Sequence, residues 1–248
     1  MPDPTDLSVQ LYTVRAALDA DVDGTLAAVA GIGFRLVEPF GLVEHGERLA
    51  GRLAAHGLSA PTAHADLLTA DPGAVFEAAT ALGIGTVIQP WVDPARWQTA
   101  DEIERIANEL NTAADWASTE GLRVGYHNHH FELETRIDGR HALEVFADHL
   151  EPGVVLEVDT YWAFAGGADV PALLERLGDR VAAIHVKDGD GTLDTKRQVA
   201  AGAGVLPVPE ILAAAPGALR VLELDDTDGD LLVALRDGRR YVLGLAGA

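Results

Sequence analysis

The chain contains no cysteine. That excludes disulfides, thiolate metal sites and a cysteine nucleophile, and leaves His, Asp and Glu as the side chains able to hold a metal. Positive charge is also scarce, with 18 Lys and Arg against 39 Asp and Glu for a formal net charge of -21. A nucleic-acid backbone would be repelled unless basic groups were concentrated in one patch, and no such patch is visible along the sequence. Nucleic acid is therefore not an expected partner. No apolar run approaches the roughly 18 residues that a membrane span requires, and the segment from Met1 to Asp6 lacks the basic-then-apolar pattern of a secretion signal. The expectation is a cytoplasmic protein with no membrane partner. A low-complexity linker is missing as well, so residues 1–248 are expected to form one domain, and the 48% of hydrophobic residues suffices for a large core.

What is present is an alternation. Short β-rich apolar segments at 7–11, 36–38, 60–64, 86–89, 123–128, 154–159, 182–187 and 220–224 are separated by stretches of helical periodicity, and one more amphipathic stretch, 230–243, follows the last. Eight such strand–helix units fit a closed parallel barrel of the (β/α)8 type, the α/β TIM barrel, better than an open sheet. Helix punctuation supports it: Asp23-Gly24-Thr25-Leu26 leads to Gly31, Asp71-Pro72-Gly73 opens a segment ending near Gly83, and 101–120 ends at Gly121. Within 101–120, Ile103, Ile106, Leu110, Ala114 and Trp116 are expected on one buried face. The Gly- and Asp-rich stretch 188–204 follows the seventh strand and is expected to lie over the C-terminal mouth, where a mobile lid would sit.

Several apolar strands end in a histidine or a carboxylate: Val37-Glu38, Ala63-His64, His127-Asn128-His129, Glu157-Val158-Asp159, His185-Val186-Lys187 and Glu223-Leu224-Asp225. A single strand-end carboxylate is usually a solvated loop residue or half of an ion pair. In a barrel, however, the C-terminal ends of all strands meet at one mouth, and unpaired carboxylates brought together there cost several kcal/mol each. A bound cation removes that penalty. Asp159, His185 and Glu223 supply imidazole and carboxylate donors suited to Mn²⁺, Zn²⁺, Co²⁺ or Mg²⁺. The competing arrangement is an ion-pair network with Lys187, Lys196 or Arg220. In His127-Asn128-His129-His130-Phe131-Glu132, the period of two puts His127 and His129 on one face, and Glu132 could turn back to the same centre. His130 is expected in the core.

Together these motifs resemble the sugar phosphate isomerase/epimerase family of xylose isomerase-like barrels. The resemblance spans nearly the whole chain, from Ser8-Val9-Gln10-Leu11-Tyr12 through Val37-Glu38-Pro39-Phe40-Gly41 and Tyr126-His127-Asn128-His129-His130-Phe131-Glu132. It continues through Val158-Asp159-Thr160-Tyr161-Trp162, His185-Val186-Lys187-Asp188 and Gly202-Ala203-Gly204-Val205 to Leu222-Glu223. It implies a divalent metal held at the ends of the fifth to eighth strands, with Asp159, His185 and Glu223 matching three positions. At the fifth, ketose epimerases place Glu where this chain has His127, so either Glu132 or His127 completes the set.

The implied activity is isomerisation or epimerisation of a sugar or keto-sugar through an enediolate. Glu38, His64, His127 and His129 are candidates for acid/base work, with Lys187 as donor to a substrate oxygen. A dehydratase acting on a keto-sugar or inosose would use the same site. A barrel that binds a carbohydrate or protein without turning it over is the alternative from another class. The substrate is expected to be a neutral sugar or cyclitol, because no Gly-rich loop with Lys is present to bind phosphate, although Gly202-Ala203-Gly204 could cradle an anion. Phe40 and Trp162 could wall a sugar ring. A homo-oligomer is compatible with the pattern.

Overall fold

The computed structural model describes residues 7–246, so Met1 to Asp6, read above for a leader, lies outside the described residues. The strands are β1 (Leu7–Val9), β2 (Thr62–His64), β3 (Thr86–Gln89), β4 (Arg123–His127), β5 (Arg136–Ile137), β6 (Arg140–His141), β7 (Val155–Asp159), β8 (Val181–Val186) and β9 (Leu219–Leu222). Seven of them form one sheet in the order β1-β9-β8-β7-β4-β3-β2, every pair parallel, while β5 and β6 make a small antiparallel hairpin. Parallel neighbours need crossovers, and helices supply them.

The expected second strand, 36–38, is not a regular strand. Its residues bridge one at a time: Glu38 pairs with Gln10 beyond β1, Leu36 with Ser59 and Phe40 with His64, all parallel. Pro39 interrupts the run, and a residue with no N–H cannot carry an uninterrupted ladder. The other seven expected strands are present with ends shifted by up to two residues.

Asp21, Asp71, Thr99 and Asp169 cap the helices Val22–Ile32, Pro72–Ala81, Ala100–Thr119 and Val170–Leu177 with their side-chain oxygens. Gly33, at φ 109°, ends the first of these in the left-handed region that a Cβ would disfavour. The helix Ala100–Thr119 buries Ile103, Ile106, Ala107, Leu110, Ala113 and Ala117. Trp116 is 45% exposed and lies outside that face, lying edge-on to Phe76. Thirteen residues separate it from Ile103, which at 100° per residue turns it away from the sheet.

Along the sheet, alternate side chains point to opposite faces. Leu156, Val158, Ile184 and Val186 join the main core, whereas Ala183, Leu219 and Val221, with Leu36, form a separate small apolar cluster. Beyond that cluster, towards the strands' C-terminal ends, the same face continues as Glu157 and Asp159 on β7, His185 on β8 and Glu223 just past β9. The fold thus stacks a polar layer on an apolar one.

Candidate metal centre and active-site cavity

Register decides which polar groups meet. His127 pairs across the ladder with Glu157, and Asp159 with His185. Asn128 and Asp159 lock the ends of β4 and β7 through reciprocal bonds: the Asp159 N–H donates to Asn128 Oδ1 at 3.0 Å, and Asn128 Nδ2 donates to the Asp159 carbonyl at 3.3 Å. Asp159 also caps the helix Thr160–Ala165, its Oδ1 accepting from Trp162 N at 2.9 Å, so Oδ2 is the oxygen left to face the cluster.

His127, Asp159, His185 and Glu223 each offer one donor atom, and these atoms lie within 4.8 Å of one another. His127 Nε2 is 3.7 Å and His185 Nδ1 4.0 Å from Asp159 Oδ2, while His185 Nδ1 meets Glu223 Oε2 at 2.7 Å. Metal–ligand bonds of about 2.0–2.2 Å fit donors spaced near the first two distances. The third is a hydrogen-bond length and would open on coordination. Lys187 Nζ also reaches these oxygens, at 2.8 Å from Asp159 Oδ2, 2.6 Å from Glu223 Oε2 and 2.8 Å from Asp225 Oδ2. The ion-pair network expected as the competing arrangement is therefore present through Lys187, on the same oxygens that the ligand set offers, while Lys196 pairs with Asp226 instead. Two imidazoles and two carboxylates within this reach of one another fit a divalent metal, which would share Asp159 Oδ2 and Glu223 Oε2 with Lys187.

One level deeper, His64 and His185 stack with centroids 5.3 Å apart and planes 6° from parallel. Their Nε2 atoms face two carboxylate oxygens. His64 Nε2 is 2.5 Å from Glu157 Oε2 and 3.3 Å from Glu38 Oε1, and His185 Nε2 is 3.1 Å and 2.8 Å from the same two atoms. Glu38 is otherwise bonded by Gln10 Nε2 at 2.8 Å and by the Thr62 hydroxyl. The 2.8 Å between His185 Nε2 and Glu38 is the length of a charge-assisted hydrogen bond, and Glu157 Oε2 links this lower group to the upper one through His127 Nδ1 at 3.3 Å.

Burial would push Glu157 up, but the His185 and His64 imidazoles hold it well below the usual carboxylate range. Glu223 stays low against burial because of Lys187 and His185. Against the same cost of burial, Glu157 and Glu223 hold His185 well above the ordinary histidine value, and Asp159, Asp225 and Glu223 hold Lys187 well above the ordinary lysine value. For Asp159, burial outweighs Lys187 and His185 and raises its carboxyl to about 6. His64 is raised, burial being overcome by Glu38 and Glu157, whereas His129 is lowered to about 4 by burial and then by Lys187.

Above these groups opens a cavity of about 330 Å³, lined by Tyr12, Phe40, Trp91, His64, His127 and His129, with Glu223 and Asp225 at its floor. Four of the sequence candidates, His64, His127, His129 and Glu223, thus share one cavity. Glu38 and Lys187 are buried beneath it and are not among its lining residues. Glu132 joins neither donor group. The turn Phe131–Glu134 directs its carboxylate to the Tyr126 hydroxyl at 2.6 Å and the His129 N–H at 2.9 Å, leaving His127 as the donor from β4. His130 is half-buried beside Trp162, outside the core, and Trp162 packs behind the site while Phe40 lines it.

The amides of Gly202 and Gly204 already serve an internal anion, the Asp188 carboxylate, which also accepts from Gly189 and Leu206. The two ends of the 188–204 stretch are thereby tied together, and Gly202 and Gly204 have no amide to spare for a phosphate.

Glu157 and Asp225 escaped assignment from sequence. The signal was their position two residues from Asp159 and Glu223, the same-face spacing of a strand.

A match to the xylose isomerase-like TIM barrel family spans residues 26–217. A sugar phosphate isomerase/epimerase from Parabacteroides distasonis ATCC 8503 superposes with a TM-score of 0.82 at 20% identity, over 95% of this chain and 92% of that one. The probable 3-DHS dehydratase AsbF of Bacillus anthracis superposes at 0.74 and 14% identity over 96% and 98% of the two chains. The IolI protein, solved with a zinc atom, gives 0.74 and 15% over 98% of each. No curated protein matches the chain in sequence. Among the described residues, no helix is long and apolar enough to cross a membrane.

Proposed function

The chain belongs to the xylose isomerase-like TIM barrel family, and from that premise we propose that it is a metal-dependent isomerase or epimerase of a neutral sugar or keto-sugar. The segment 36–40, bridged on both sides, serves in this reading as the eighth strand that closes the barrel. The observation that carries the proposal is the convergence of His127, Asp159, His185 and Glu223, carried at the ends of four different strands, with His127 and Glu223 lining a cavity of about 330 Å³.

Those four residues would hold a divalent ion such as Mn²⁺, Zn²⁺, Co²⁺ or Mg²⁺, and the bound ion would supply Lewis-acid polarisation of the substrate carbonyl. The chain's own residues handle the protons. Two histidines on the cavity wall are pushed in opposite directions, which is how acid and base are separated at one pH. His129, lowered to about 4, is neutral and accepts the proton α to the carbonyl, giving the enediolate of the substrate. His64, held protonated by Glu157 and Glu38, donates to the opposite end of the reacting unit. Tyr12, Phe40 and Trp91, the last 49% exposed, give the apolar faces of a sugar ring a surface to rest on. The engagement of the Gly202 and Gly204 amides by Asp188 favours an uncharged substrate over a phosphorylated one.

A protonated His64 beside the cavity also supports a second outcome, loss of a β-hydroxyl as water from a keto-sugar or inosose. Proton NMR in D₂O separates the two. Deuterium entering the α position with the carbon skeleton intact marks isomerisation or epimerisation, and loss of water marks a dehydratase. A chain that takes up no metal and exchanges no proton with keto-sugars or inososes would be a binding protein instead, and the proposal would fail.

A further inference from the structure

Resting on the metal-dependent reading above, we propose that Glu157 is a positioning residue that selects which nitrogen each imidazole ligand presents: Nε2 of His127 and Nδ1 of His185. One carboxylate oxygen, Glu157 Oε2, lies 2.5 Å from His64 Nε2, 3.1 Å from His185 Nε2 and 3.3 Å from His127 Nδ1. It is therefore a hub for imidazoles carried by three different strands.

A neutral imidazole has one N–H and one lone pair. The nitrogen facing a buried carboxylate keeps the proton, and the lone pair is left on the other. For His127 that other nitrogen is Nε2, 3.7 Å from Asp159 Oδ2. In His185 both nitrogens face carboxylates: Nδ1 meets Glu223 Oε2 at 2.7 Å and Asp159 Oδ2 at 4.0 Å, the two that would bind the metal, whereas Nε2 meets Glu38 and Glu157, which would not, so a metal held by Asp159 and Glu223 takes the Nδ1 lone pair. His127 Nδ1 and Glu157 Oε1 are both buried without an aligned hydrogen bond, so the 3.3 Å approach of Nδ1 to Glu157 Oε2 is an ion-pair contact that a bound metal, by drawing on Nε2, would leave in place. Glu38 shares the task for His185, at 2.8 Å from its Nε2, but its remaining bonds go to Gln10 and Thr62. Of these two carboxylates outside the ligand set, Glu157 is the one that reaches both imidazoles. Its place is set by the backbone: two residues before Asp159 on the same face of β7, and opposite His127 in the ladder.

Loss of such a partner weakens metal binding by about 10–100-fold. The test measures the dissociation constants of Co²⁺ and Zn²⁺ by competition with a chelator for the wild type and for Glu157→Gln. Long-range ¹H–¹⁵N correlations of the Zn²⁺-loaded wild type give the protonated nitrogen of each ring. The expected results are Nδ1–H on His127, Nε2–H on His185, and a loss of affinity within that range in the variant. Should Glu157→Gln fail to fold, Glu157→Asp takes its place, keeping the charge but withdrawing the oxygen by one methylene. Protons on the opposite nitrogens, or unchanged affinity in a folded variant, would overturn the inference while leaving the metal site standing. A wild-type chain that binds neither ion overturns both.

Discussion

Replacing Lys187 by methionine removes the one ammonium that touches Asp159, Glu223 and Asp225, at 2.8, 2.6 and 2.8 Å. Methionine fills most of the same volume, so the loss is of charge more than of packing. Lys187 is only 1% exposed, and water cannot replace it. Breaking a buried ion pair in this way costs about 3–5 kcal/mol, because the carboxylates left behind are uncompensated. At roughly 2–4 °C per kcal/mol for a chain of this size, the Lys187→Met protein in EDTA is expected to melt some 6–20 °C below the wild type. A divalent ion offers the same carboxylates a new cation, and at 100 times its dissociation constant it returns about 2.7 kcal/mol. Zn²⁺ or Mn²⁺ should therefore raise the melting temperature of the variant by more than that of the wild type, since no ammonium competes for Asp159 Oδ2 and Glu223 Oε2. Calorimetric melts of both proteins, with EDTA and with metal, check the pair of expectations. Co-melting of the two proteins in EDTA, or equal stabilisation by metal, would refute the electrostatic reasoning.

Three further outcomes are expected. Glu132, raised from 4.5 to about 8 by burial, binds its proton more tightly folded than unfolded, so its contribution to stability is present below 4.5 and lost as pH rises towards 8; Glu132→Gln should flatten the fall in melting temperature between about pH 5 and 8, and an unchanged slope counts against it. His129→Ala should lower α-proton exchange by about 10²–10⁴-fold while leaving the bound metal per chain unchanged, which NMR and elemental analysis check together. Asp188→Ala strips four backbone N–H groups of their acceptor, and limited proteolysis should then cut within 189–206 many times faster.

Much of the fold was legible because strands buried on both faces read as short apolar runs separated by capped helices. Seven of eight expected strands stand where those runs lie. The run at 36–38 misled because Pro39 breaks its ladder, and apolar patterning carries no record of a missing N–H. The same holds for Trp116, where an aromatic near the right spacing suggested burial and the helical angle placed it outside. At the site, strand-end position was enough to bring His64, His127, His129, Asp159, His185 and Glu223 into view. Glu132 shows the limit: whether a residue past a strand turns back to the centre depends on the turn that follows, here Phe131–Glu134, which aims it at Tyr126. Glu157 needed the register between β4 and β7, and register is a tertiary fact.

The square of His64, Glu157, His185 and Glu38 occupies a level of the interior where other proteins put aliphatic filler. Four segments of the chain are cross-braced there, and under the proposed function the groups that brace them are also those that would serve the chemistry. Truncating any corner would blur lost turnover with lost folding. Redesign of this protein is therefore best attempted through isosteric exchanges inside and free variation only at the rim, around Tyr12, Phe40 and Trp91.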